Sequence, residues 1–549
     1  MQHGRTALLA LSLLSACAAT DPGMGGGRAR SGGNFADFLV GHYAAARGDM
    51  GTASDRLRAA AMRDPEDRAL AAQAFSTSLL AGRSDLGGLV PRVADNVLAQ
   101  LYAADEMARA GRWDAAGRRY AALPEAGLTG ALRPLLVAWA QHGAGQTDAA
   151  LATLRAVAAN EALRGAYTLH MALIADQAGR AGDAAALYQE ARRDFPSVNL
   201  RLGVILASAE ARRGLLDQAR QTIAAMVQAN ADLAIARPAL EAVVAQPAVP
   251  RPVDGVAEAY LAFAAALREG GADDLAQALL RLALLDRPDF APARLLLSEV
   301  QDASHQPRAA LATLRAVTPG NPLRPVAELR QAVLLDELGD HGAAAALAEN
   351  LARAYPARPE PLAQEGEALR MEQRFGEAAA AYSQAIARAE ALGPISWVLY
   401  FERGVCRERA GDWPGAQADL ERSVRLAPDQ PTVLNYLAYA WAERRENLPR
   451  AREMLDRAVA INPNDGSTVD SLGWVMLRQG DTAEAVRQLE RAVELEPEDP
   501  VINGHLGDAY LAAGRRREAE FQWRRALTLK PKDADKARIE AKLSEVGQP

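Results

Sequence analysis

The chain has 549 residues, more than one compact core holds, so its length predicts several domains or an elongated array. Apolar residues make up 49% and aromatics only 5%; alanine and leucine carry the apolar share, with arginine and glutamate as the main charges, which favours helix throughout. The 62 basic and 69 acidic side chains leave a formal net charge of −7, which gives no basic surface of the kind nucleic acid requires.

The chain opens MQHGRTALLALSLLSACAATDPG. Arg5 and the amino terminus form a weak positive region, and Ala7 to Leu14 form an apolar run too short to span a bilayer as a helix. Leu14-Ser15-Ala16-Cys17 follows, and all four positions resemble the lipobox of bacterial lipoproteins. That resemblance implies cleavage before Cys17 and acylation of its thiol and of the new amine, an anchor worth about 0.8 kcal/mol per buried CH₂. The next residue is Ala18 rather than an aspartate, which in such lipoproteins resembles export to the outer membrane, facing the periplasm. Residues 1–16 are therefore expected as a signal peptide and residues 17–33, with DPGMGGGRARSGG, as a Gly-rich flexible tether.

From Phe35 onward the chain repeats itself every 34 residues or so. Ala276, Ala310, Ala344 and Ala378 keep that step, as do Pro288, Pro322 and Pro356. Pro428, Pro463, Pro497 and Pro531 continue it, and Gly145, Gly179, Gly214, Gly480 and Gly514 mark its turn. Each unit predicts two amphipathic helices. In DSLGWVMLRQGD, Leu472, Val475 and Met476 supply the first apolar face, and Gly480 ends the helix by tolerating a left-handed backbone. Asp481 with Glu484 three residues on predicts a capping box for the second helix, whose stripe is Ala485, Leu489 and Ala492. Small residues at Gly473 and Ala485 allow close helix approach.

The pattern resembles the tetratricopeptide repeat. Gly507, Gly514, Ala519, Trp523, Ala526 and Pro531 fill its small, glycine, alanine, aromatic, alanine and proline places in order. Ala172, Gly179, Ala184, Tyr188, Ala191 and Pro196 do the same, as do Gly41, Gly48, Ala53, Leu57, Ala60 and Pro65. Three places depart: glycine for alanine around Gly82 and Gly87, His305 for glycine, and one residue inserted near Glu446-Asn447-Leu448; the periodicity is expected to survive all three. The resemblance implies an all-α right-handed superhelical solenoid of thirteen or fourteen units with a concave face. A longer gap holding Pro238, Pro247, Pro250 and Pro252 reads as a stiff junction, residues 238–255, between an N-terminal array at 34–237 and a C-terminal array at 256–549.

No catalytic pattern stands out. Histidines such as His42, His142, His170 and His341 are scattered singly, without metal-ligand spacing, and no nucleophile elbow, phosphate loop or Cys-x-x-Cys occurs. Cys406 reads as a small buried side chain. A non-enzymatic chain without cofactor or metal is expected.

In a tetratricopeptide stack the first helices line the concave face. The resemblance points Trp474 into it, with Asp470 one turn earlier, Asn435, Tyr436 and Tyr439 on the preceding unit, His505 and Asp508 on the following one, and Phe401 two units upstream. Together they form an aromatic strip edged with acid, suited to anchoring a protein partner; the same rings could instead pack on adjacent first helices. The last four units, with NYLAYAWAERRENL and INGHLGDAYLAAGRRREAEFQWRRAL, resemble envelope lipoproteins of this repeat class, some of which hold a carboxy-terminal-processing protease and present cell-wall hydrolases to it; Gly504 stands where an acidic residue would precede His505. The leading expectation is a protein-binding scaffold or adaptor. The alternatives are an assembly or secretion scaffold for pilus or polysaccharide export, and a glycan-binding protein or enzyme using the groove.

Overall fold

The computed structural model describes residues 32–160, 163–195 and 199–546, with side chains from Phe35 onward. The signal peptide, Cys17 and the tether up to residue 31 lie outside the described residues, as does Pro196. Every regular element among the described residues is helical. Among the described residues, thirteen hairpins of paired helices are interspersed with single helices at Arg68–Leu80 and Arg237–Ala242, and Asp533–Val546 follows the last hairpin.

The hairpin of Gly466–Gln479 with Thr482–Leu495 shows why these residues pair. Asp465 caps the first helix by accepting the Thr468 N–H. Gly480 ends it at φ 89°. A Cβ on Gly473 would sit 2.7 Å from Leu489 Cγ, so the two helices meet only because that atom is missing. The expected capping box is absent: Asp481 makes no side-chain cap bond. Its carboxylate accepts Arg452 at 3.2 Å instead, and Glu484 pairs with Arg487.

Other irregular places are absorbed by the backbone. His305 adopts the left-handed conformation of the glycine it replaces, at φ 59°, and Arg445 and Asn447 do so around the inserted residue, at φ 56° and 45°. Arg457, Arg491 and Arg525 recur 34 residues apart, and each donates to the carbonyl of the proline ending the preceding unit: Pro428, Pro463 and Pro497. The expectation that the period survives around Gly82 and Gly87 is corrected. After Arg68–Leu80 no second helix forms; residues 81–96 run as a loop with one short 3₁₀ turn, Val90–Val93. Gly87-Gly88 and Pro91 remove the helix propensity that a second helix would need.

The chain forms two compact units, one ending at Leu351 and the other beginning at Ala352. Residues 238–255 lie within the first, and Val249, Val253, Asp254 and Gly255 are buried there. Pro252 opens the helix Pro252–Glu269, where its fixed φ suits the first position.

In the first unit, that helix and its partner Asp273–Asp286 pack against earlier first helices of the array: Gly127–Gly143, Arg164–Gln177, Arg68–Leu80 and Val97–Arg109. Gly255 makes the closest approach, since a Cβ there would lie 2.2 Å from the Trp139 ring. Trp139 is fully buried, and its indole N–H donates to His170 Nδ1 at 2.8 Å. The inner wall of the N-terminal hairpins is thus covered by a hairpin of the same chain. In the second unit, Pro431–Arg444 packs on Gly466–Gln479, which packs on Pro500–Ala512, so successive first helices line up side by side. Cys406 is fully buried there with a free thiol, and burial pushes it up to about 12.

Candidate functional site

The row of first helices in the second unit carries all eight residues expected on the concave face. Phe401, Asn435, Tyr436, Tyr439 and Asp508 are half-buried; Asp470, Trp474 and His505 are buried. The structure brings them together in two groups.

The first group spans Trp397–Arg409 and Pro431–Arg444. Phe401 meets Tyr436 edge-on at 5.5 Å and Trp397 at 6.0 Å, the geometry favoured by opposed ring quadrupoles. The Tyr436 hydroxyl donates to Glu408 at 2.9 Å, and Arg444 donates to the same carboxylate at 3.0 Å. Asn435, beside Tyr436, holds a buried amide oxygen with no hydrogen-bond partner.

The second group centres on Trp474, only 5% exposed. His505 stacks on it with centroids 4.0 Å apart and planes 16° apart, and the Arg478 guanidinium lies 4.2 Å from the ring centre. Its indole N–H donates to Glu443 at 2.7 Å. His505 Nδ1 lies 2.9 Å from an Asp470 oxygen. Burial opposes the imidazolium, but Asp470, Asp508 and Glu443 outweigh it, and His505 titrates above its ordinary value. Tyr439 closes the group, 6.2 Å from His505 across an intervening hairpin. The wall therefore winds tightly enough for first helices two units apart to share side-chain contacts.

The expected acidic edge does not face outward. Asp470 is engaged by His505, and Asp508 accepts the Trp523 indole at 3.0 Å and Lys542 Nζ at 2.6 Å. Lys542 belongs to the final helix, Asp533–Val546, which also buries Ile539. Gly504 accepts from the Trp523 indole and lies in contact range of Ile539, so an acidic side chain there would meet that helix. Both carboxylates are thus neutralised by the chain itself. Glu443, Arg478 and the final helix are the contributors that the repeat pattern did not single out; two lie one turn beyond a groove position, the only signal that marked them.

A further polar cluster lies inside the first unit. Buried Asp105 accepts the hydroxyls of Tyr120 at 2.6 Å and Tyr260 at 2.8 Å. Asp286 accepts Arg109 at 2.7 Å, and its other oxygen has no partner. Burial holds both carboxyls well above the usual carboxylate range. These residues come from hairpins more than 150 positions apart, a separation that periodicity does not encode. They join the inserted hairpin to the wall it covers.

Comparison with known proteins agrees with this geometry. Two tetratricopeptide repeat families match, one at residues 476–543 and the other at 138–199, 363–431 and 407–466. TPR repeat-containing protein PA4667 of Pseudomonas aeruginosa is 33% identical over 175 residues, covering 31% of this chain and 28% of that protein. The chain thus spans under a third of that relative's length. Among solved structures, the Cut9-Hcn1 hetero-tetramer of APC/C is 13% identical over 94% of this chain and 96% of its own, with a TM-score of 0.39. A tetratricopeptide repeat protein of Parabacteroides merdae is 13% identical over 46% of this chain and 98% of its own, at 0.37. Scores this low bear on neither fold nor function. The described residues thus form an all-α array of paired helices, within which residues 138–199, 363–431, 407–466 and 476–543 match tetratricopeptide repeat families.

Proposed function

We propose that this chain is a non-enzymatic adaptor, anchored through acylated Cys17 to the periplasmic side of the bacterial outer membrane, that holds a carboxy-terminal-processing protease and its cell-wall hydrolase substrates on the second unit. The observation that carries the binding role is the half-buried row of Phe401, Asn435, Tyr436 and Tyr439. Rings presented from adjacent first helices give a partner large apolar contact at low entropic cost. The first unit supports the assignment by contrast, since its own hairpin covers the inner wall that a partner would use. Trp474, His505 and Asp470 are engaged with one another further along the same row, and Tyr439 meets His505 there. The anchoring rests on Leu14-Ser15-Ala16-Cys17, and the protease on the likeness of the last four units to envelope adaptors.

The test is affinity capture from detergent-solubilised envelopes with wild type and with the double variant Phe401→Ala, Tyr436→Ala. The expected result is a co-purifying protease with hydrolase clients, lost in the variant while the helical spectrum is retained. Recovery of export or pilus components in their place, equally from both proteins, would reject the reading. Metabolic labelling with a radioactive fatty acid, present in wild type and absent in Cys17→Ser, checks the anchor.

A further inference from the structure

Gly32–Ala46 is the first helix of the array among the described residues. End helices of stacked repeats ordinarily keep a polar outer face for solubility. This one does not. Its inner side is engaged: Gly41 packs on Leu57, and Asp37 is held between Arg56 and Arg63. Its outer side exposes Phe35 at 51%, Leu39 at 48%, Val40 at 46% and Tyr43 at 62%. Phe35, Leu39 and Tyr43 are four residues apart and share one line along the helix. Between Phe35 and Ala46 the only Asp, Glu, Lys or Arg is the buried Asp37, so the outer face there bears no permanent charge. At its far end Arg47 donates to the Tyr43 hydroxyl at 2.7 Å and leans over its ring.

An apolar line with an aromatic and a cation at one end is the make-up of a helix that lies in a lipid interface. Its place in the chain says which surface it meets. Gly32 follows Cys17 by fifteen residues, a reach of roughly 50 Å at full extension. A chain held by lipid at Cys17 therefore presents this helix to the bilayer at high effective concentration. We infer that the Phe35–Leu39–Tyr43 line docks on the surface of the membrane that holds the acyl anchor. The inference rests on the anchoring reading of Cys17 and adds a second contact. A single point of attachment leaves the array's direction relative to the membrane unset, whereas two contacts set it.

The experiment uses the full chain, purified from membranes and reconstituted into phosphatidylethanolamine–phosphatidylglycerol vesicles. A polarity-sensitive fluorophore is attached at Leu39→Cys, and at Met62→Cys as an aqueous reference, since Met62 is 77% exposed on the next helix. The native Cys406 thiol is buried. Emission from position 39 is expected to shift to the blue and to be quenched at least severalfold by nitroxide-bearing lipid, with position 62 unaffected. Serine at Phe35 and Tyr43 should return position 39 to the aqueous value. An unshifted probe at position 39 in protein whose Cys17 carries acyl chains by mass spectrometry overturns the inference and leaves the anchor standing. A shift that needs no vesicles and grows with protein concentration assigns the line to a second copy, and also overturns it. Cys17 without acyl groups removes the anchoring reading and this one with it.

Discussion

Replacing Trp474 by alanine separates a partner-binding ring from a packing ring. A ring that served only a partner would leave melting nearly unchanged on removal. The structure predicts otherwise. Trp474 is 5% exposed, stacked on His505 at 4.0 Å, approached by Arg478 at 4.2 Å and bonded to Glu443 at 2.7 Å. Truncating a buried tryptophan costs about 3–5 kcal/mol in lost transfer energy and cavity. The second unit runs from Ala352 to Pro549, a size at which each kcal/mol moves the melting point by roughly 2–4 °C. Its transition in the full chain should therefore fall by roughly 6–20 °C, read by calorimetry or by circular dichroism at 222 nm. Trp474→Phe keeps the stack and loses only the bond to Glu443, a charge-assisted bond worth about 1.5–3 kcal/mol, so it should fall between. A shift under about 2 °C in Trp474→Ala, with partner capture abolished, would refute the packing argument and return Trp474 to the binding face.

Three further outcomes are expected. Gly255→Ala sets two effects against each other: alanine adds up to about 1 kcal/mol of helix propensity, but its Cβ would meet Trp139 at 2.2 Å, and such overpacking costs about 1–3 kcal/mol. The net sign is destabilising, and a raised denaturation midpoint would show that the helix Pro252–Glu269 does not seat on Trp139 as described. Asp105 holds its proton in the folded chain above the pH at which the unfolded chain releases it, because burial opposes the charge. Stability from this group is therefore fully present below about pH 4 and declines as pH rises, by about 1.4 kcal/mol per pH unit until the folded group ionises. Asp105→Asn should match wild type near pH 4 and exceed it at pH 8 in urea midpoints; equal midpoints at both values would reject the buried acid. For His505 the folded value is raised by Asp470, so its contribution is present below about pH 6.5 and lost as pH climbs through the higher folded value. His505→Gln should flatten that part of the second unit's melting profile between pH 6 and 9, and an unchanged slope would count against the ion pair.

Much of this architecture is local and was legible from the residues. Gly480, Gly473 and the 34-residue step of alanines and prolines specify a helical hairpin and its repetition, because turn conformation, helix propensity and helix contact depend on neighbours close in the chain. The same periodicity located the first helices on which all eight expected residues sit. It misjudged Asp481, whose carboxylate accepts Arg452 rather than capping its helix, and residues 81–96, where two glycines and a proline outweigh the period.

What tertiary structure alone decided is which surfaces remain open. Nothing in the repeat pattern brings Tyr260 to Asp105 or Gly255 to Trp139, because those contacts join hairpins separated by more than a hundred residues and depend on how far the stack curves. Nor does it reveal that Asp470 and Asp508 are engaged by His505 and Lys542. Curvature accumulates from small rotations at every interface between hairpins, and each depends on side-chain volumes from both neighbours. A one-dimensional pattern therefore states which residues face inward, while the summed geometry determines whether they meet a partner or one another.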